Sequence, residues 1–87
     1  MVKADVVVRN KTGLHLRPAG ALAKAAMEFE CSIQVQHGST VVDAKSMLGL
    51  LSACIRENDE ITVICNGPDE ETALNSIIDL INNELCD

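Results

Sequence analysis

Pro18 is the residue that most restricts how this chain can fold. Proline has no amide hydrogen and breaks a helix interior, yet the first helical turn tolerates it, because amides there have no intrahelical partner. Leu16, Ala19, Leu22, Ala23 and Ala26 recur around it at helical spacing. Together these facts predict a helix from about residue 16 to residue 28 that starts immediately behind His15. A helix start presents unpartnered N–H groups and the positive end of the helix dipole, so it is a ready anion site. A histidine there is a nucleophile beside a phosphate cradle. Arg17, two residues on, can add planar, charge-assisted hydrogen bonds to phosphate oxygens in a fork that lysine cannot form. An arbitrary histidine before a helix usually has only a structural role. Gly13, Arg17 and Pro18 around this one point instead to a histidine that carries a phosphoryl group. The residues alone leave both ring nitrogens open as the point of attachment.

Elsewhere apolar alternation sets the elements. Residues 2–9 alternate, with Ala4, Val6 and Val8 on one side, and predict a half-buried strand. Residues 10–13 form a loop by composition. Residues 32–36 predict a second strand with Ile33 and Val35 inward. A turn at residues 37–39 follows, and residues 40–43 return as the other arm of a hairpin. Ser46 is expected to cap a short helix from Met47 to about Cys54. Residues 56–59 are a polar turn, residues 60–65 a strong strand and residues 66–69 a loop. Asp69 is expected to cap a last helix, with Glu70 and Glu71 at its positive end. The apolar stripe of that helix is Leu74, Ile77, Ile78, Ile81 and Leu85. The order β-α-β-β-α-β-α, with mainly one apolar face per strand, predicts an α+β fold in which helices cover one side of an antiparallel sheet. The pattern leaves the strand order open. Residues 1–87 read as a single domain without repeats or linkers.

Composition narrows the partners. The chain carries a net charge of −6, and its only aromatic residue is Phe29. An acidic balance and a near absence of stacking rings argue against nucleic acid or an anionic membrane. No segment is long and apolar enough to span a bilayer. No secretory signal is visible at the first six residues, so a cytoplasmic location is expected. The four cysteines lack short metal-ligand spacing and are expected to stay reduced, with no metal bound. Cys54 and Cys65 lie in apolar runs and read as core; Cys31 and Cys86 fall near element ends and are expected to be more exposed. A metal or redox domain would rest on these cysteines alone. His37 falls in the predicted turn and shows no chemistry.

Two segments carry a resemblance. Gly13-Leu14-His15-Leu16-Arg17-Pro18-Ala19 resembles the phosphorylation site of the histidine-containing phosphocarrier (HPr) family of the bacterial sugar phosphotransferase system. Lys45-Ser46-Met47-Leu48-Gly49-Leu50-Leu51 is similar to the family's second motif, around a regulatory serine. Both fall at the family's usual distances from the amino terminus, and the likeness covers essentially the whole chain. The resemblance implies an open-faced β-sandwich, a four-stranded antiparallel sheet of order 1-4-2-3 with three helices on one face. It implies a carrier rather than an enzyme, with no cofactor. His15 would take phosphate on Nδ1 from enzyme I, itself charged by phosphoenolpyruvate, and pass it to IIA domains of sugar permeases. Arg17 would stabilise the phosphate. Leu16, Gly20, Lys24, Lys45, Met47, Leu48 and Leu51 would form the partner surface of a monomer. Ser46 would be the target of a kinase/phosphorylase in lineages that have one. A regulatory module acting through phospho-Ser46 on a catabolite-control transcription factor is the rival reading; relatives of that kind lack the reactive histidine, so His15 makes it an additional role. Two positions depart from the family pattern. Leu16 stands where Ala, Ser or Thr is usual, and Gly20 where Ala, Ser or Thr is commoner. The first bears on partner choice, and the second on a looser first turn or a closer approach by a partner.

Overall fold

In the computed structural model, which describes residues 1–11 and 13–84, the alternating segments become one sheet. The strands are β1 (Val2–Val7), β2 (Ser32–His37), β3 (Thr40–Asp43) and β4 (Glu60–Asn66). The helices are α1 (Leu16–Ala26), α2 (Met47–Ser52) and α3 (Glu70–Asp79), the last running on into a π-helical turn, Leu80–Glu84. Leu85 and Cys86, given roles above, lie outside the described residues. All neighbouring strands are antiparallel, in the order β1-β4-β2-β3, which places the last strand of the sequence in the sheet interior.

The register explains why one face is uniformly apolar and the other mixed. Cross-strand partners share a face, so Ala4, Val63, Val35 and Val42 form one inward row. Val2, Cys65 and Ile33 form a second, and Val6 with Ile61 a third. The other face carries Lys3, Asp5, Gln34, Gln36 and Thr62, and there the Thr62 hydroxyl donates to the Asp5 carboxylate at 2.6 Å. Pro18, Ala19, Leu22, Ala23 and Ala26 of α1, Leu50 of α2, and Ala73 and Ile77 of α3 close over the inward rows in one aliphatic core.

Several expectations are corrected. Val8 leaves the ladder but stays buried, because its backbone pairs with the turn before β4: its N–H donates to Asp59 O at 2.9 Å and its carbonyl accepts from Asn58 N at 2.6 Å. Leu16, expected in the buried stripe, is 63% exposed. Helical side chains tilt toward the N-terminus, so in the first turn Leu16 projects past the edge of the core, and Leu14 fills the inward position instead. Asp69 stands at the N-cap of α3 but makes no capping bond there. Its two oxygens accept from the Glu30 and Cys31 amides at 2.9 Å each, clasping the α1–β2 connection. The Glu30 amide chiefly holds this carboxyl below its ordinary range. Glu70 instead ties back the turn before the helix, accepting from Gly67 N at 3.1 Å.

The cysteines also exchange places. Cys31 is fully buried and Cys54 is exposed, while Cys65 is buried as expected. Cys31 sits against the β4–α3 turn, where a Cβ on Gly67 would lie 2.7 Å from it. Burial, and then a hydrogen bond with Asp69, push its thiol up to about 11. Burial raises Cys65 as well. Helix α2 stops at Ser52, and Cys54 follows in the left-handed region, φ 54°, facing outward as the chain turns.

Candidate functional site

His15 occupies the N-cap of α1 in an extended conformation, φ −92° and ψ −163°. Its ring makes no capping hydrogen bond and the residue is exposed. Pro18 contributes no N–H, and the Ala19 amide already donates to the His15 carbonyl at 2.9 Å. The anion-binding character of this helix start therefore resides in the amides before Pro18. The first turn contains no acidic residue to compete for it. Arg17 is exposed on that turn. An imidazole and a guanidinium are thus presented to solvent at one helix end, an arrangement able to receive and hold a phosphoryl group.

The loop that delivers His15 is tied down from beneath. The Gly13 amide donates to Asn10 O at 3.0 Å, and the Asn10 side-chain amide donates back to Gly13 O. Asn10 is the one buried polar residue among the described residues, a role its loop-like composition conceals. Leu14 N donates to Ile55 O at 3.1 Å. Gly13 has φ +64°, and a Cβ there would lie 2.4 Å from Ile55 O and 2.8 Å from Arg56 Cα. The glycine of the motif is thus required by conformation and by close approach together.

The second motif packs beside the first. Ser46 caps α2 as expected: its hydroxyl accepts from Gly49 N at 3.1 Å. Gly20, one turn beyond Leu16, faces Met47, whose sulfur would lie 3.5 Å from a Cβ on Gly20. The close neighbour of Gly20 is therefore α2 of the same chain, at ordinary van der Waals distance. Met47 (38%) and Leu48 (76%) are exposed beside it, whereas Leu51 is half-buried against the core. Lys24 is exposed one turn after Gly20. Lys45 is half-buried, and its ammonium donates to Phe29 O at 2.7 Å, which gives it a structural role in the α1–β2 connection. Neither α1 nor α2 contains an acidic residue, although the chain as a whole is acidic. The two helices beside His15 therefore present apolar and cationic side chains.

His37, dismissed on its turn-like setting, closes β2 and makes two contacts: Nδ1 lies 3.0 Å from Ala53 O and Nε2 2.9 Å from Asp59 Oδ2. Nothing local in the sequence signals partners 16 and 22 positions away. Among the described residues, no group of three or more His, Cys, Asp or Glu is gathered to hold a metal ion. No described helix is long and apolar enough to cross a membrane.

Comparison with known proteins decides the family. The model for the PTS HPr component phosphorylation site matches residues 2–83. The chain belongs to the HPr family of phosphocarrier proteins. It is 41% identical over 78 residues to phosphocarrier protein HPr of Mycoplasma pneumoniae, covering 88% of this chain and 89% of that one. It is 38% identical over 84 residues to the HPr-like protein Crh of Halalkalibacterium halodurans, covering 97% and 100%. A third relative is DhaM of Providencia stuartii, the phosphoryl donor subunit of a PEP-dependent dihydroxyacetone kinase, 36% identical over 81 residues; the match covers 93% of this chain but 17% of DhaM. Among solved structures, HPr from Thermoanaerobacter tengcongensis superposes with a TM-score of 0.94 at 33% identity, covering 98% of this chain and 96% of that one. A dimeric form of HPr from the same organism matches at 0.79 and 32% identity over 100% of both chains. The strand order that the resemblance implied is the one observed and matches these HPr structures, and the chain is a phosphocarrier of this family, not itself an enzyme.

Proposed function

We propose that His15 is the residue that carries the phosphoryl group, taken from enzyme I charged by phosphoenolpyruvate and delivered to IIA domains of sugar permeases in the cytoplasm. The observation that carries this reading is an exposed His15 at the start of α1 whose ring is not used for capping. Arg17 on the same turn is proposed to screen and orient the phosphoryl oxygens. Leu16, Gly20, Lys24, Met47 and Leu48 are proposed as the surface that meets acidic partners, with Leu51 behind them and Lys45 at the edge. The chemistry needs no cofactor: the acceptor nitrogen attacks phosphorus, and the bond from phosphorus to the donor breaks as the new one forms, leaving the donor dephosphorylated.

A regulatory layer at Ser46 is supported by a separate observation. Its hydroxyl lies at the start of α2, beside exposed Met47 and Leu48. A phosphate placed there by a kinase would set negative charge beside two helices that carry no acid, so docking of acidic partners would weaken. The same modification could recruit a catabolite-control transcription factor. We propose a monomer as the working species. The test is incubation with enzyme I and phosphoenolpyruvate, then with a IIA domain, read by intact mass under non-acidic conditions. One acid-labile phosphoryl group should appear and then move to the IIA domain. An unchanged yield of phosphoprotein in His15→Ala would refute the assignment.

A further inference from the structure

We infer that His37 is a positioning residue for phosphoryl transfer at His15, acting through the 53–59 segment on which the His15 loop rests. The inference rests on His15 being the phosphoryl acceptor. The His37 ring spans the two ends of that segment, with Nδ1 3.0 Å from Ala53 O and Nε2 2.9 Å from Asp59 Oδ2. The two ring nitrogens thus face two acceptor groups, one at each end of the segment. Asp59 in turn closes the interior of the segment: Oδ2 accepts from Arg56 N at 2.9 Å, and its own amide donates to Arg56 O at 3.1 Å. Cys54 and Asn58 within it hold positive φ, 54° and 70°. Such backbone persists where surrounding contacts over-determine it, and His37 supplies two of those contacts.

The site loop sits on this segment at both of its own ends. At the start, Val8 N donates to Asp59 O and Val8 O accepts from Asn58 N. At the finish, Leu14 N donates to Ile55 O, and Gly13 lies against Ile55 O and Arg56 Cα. Leu14 is the residue before His15. The ring of His37 therefore fixes the ends of a platform whose middle holds the residue next to the acceptor. Transfer between two proteins needs the attacking nitrogen in line with phosphorus, and a displacement of about 1 Å can cost up to 100-fold in rate.

The experiment measures kcat and KM for the full chain as acceptor from phosphorylated enzyme I. The variants are His37→Ala, Asp59→Ala, their double and His37→Gln, with Thr62→Val as control. Thr62 bonds Asp5 on the opposite sheet face, so the control perturbs the fold without touching the platform. All are assayed under conditions where denaturant curves show them folded; His37→Gln, retaining a single donor, carries the comparison should His37→Ala fail to fold. The single variants are expected to lower kcat about tenfold with KM within about twofold of wild type. The double variant is expected to lose no more than the worse single variant, because the two residues act as one unit. Thr62→Val is expected to keep wild-type kcat, and the His15 ring resonances are expected to shift in His37→Ala but not in Thr62→Val. Wild-type kcat in the His37 variants, a loss confined to KM, or an equal loss in Thr62→Val would overturn the inference. Failure of wild type to be phosphorylated at His15 would instead overturn the carrier assignment on which it rests.

Discussion

Replacing Gly13 by alanine tests whether the site loop needs the close seat described above. The residue holds φ +64°, and a left-handed conformation costs an L-residue about 1–2 kcal/mol. The new Cβ would meet Ile55 O at 2.4 Å and Arg56 Cα at 2.8 Å. Both are backbone atoms, so no flexible side chain can swing aside, and relieving the overlap resembles overpacking a core, at about 1–3 kcal/mol. Lifting the loop also strains the Leu14 N to Ile55 O bond, worth about 1 kcal/mol. Gly13→Ala should therefore lose roughly 2–5 kcal/mol, a large share of the approximately 5–15 kcal/mol that holds a domain folded. Urea unfolding gives the stability, and phosphoryl acceptance measured on the folded fraction gives the effect on His15. The midpoint should fall markedly, and the surviving folded protein should accept phosphate more slowly because His15 is displaced. A loss below about 1 kcal/mol, or the gain of about 0.4–1 kcal/mol expected where alanine fits a glycine site, with normal transfer, would refute the reasoning.

Three further outcomes are expected. With limiting thiol reagent on native protein, Cys54 should label fast, and Cys31 and Cys65 only after unfolding; equal native labelling of Cys31 would contradict its burial. The Asp69 carboxyl is held below its ordinary 3.8, so its contribution is present above that value and is lost as pH falls through the folded-state value. Asp69→Asn should flatten the acid limb of the stability curve, and an unchanged acid limb would remove the clasp on Glu30 and Cys31 from the account. Ser46→Asp should keep near wild-type stability, since an acid suits a helix start, while slowing transfer from enzyme I; a normal rate across ionic strengths would leave Ser46 as a cap only.

What could be read from sequence follows a physical line. Period-two alternation is local, so β2, β3 and β4 were legible, as was the α1 start imposed by Pro18 and the α2 cap at Ser46. Strand order is non-local and came from the family motifs rather than from the pattern. The misreadings share one cause. Asp69 has the composition of a cap, yet its carboxylate is taken by amides 38 and 39 residues away. Cys54 has apolar neighbours in sequence but lies where the chain reverses after α2, while Cys31, at an element end, is covered by the Gly67 turn. Leu16 fits the helical period but falls beyond the core edge. His37 carries no local signal because its partners lie 16 and 22 positions away, while Asn10 bonds within its own loop to Gly13 and its composition gives no sign of its burial.

The most direct measurement of the central claim is NMR of the 15N-histidine-labelled, phosphorylated chain, locating the phosphoryl group by its coupling to a ring nitrogen. The account predicts a single adduct on Nδ1 of His15, with the His37 ring unmodified. Phosphate on His37 or on Ser46, with His15 untouched, would contradict it.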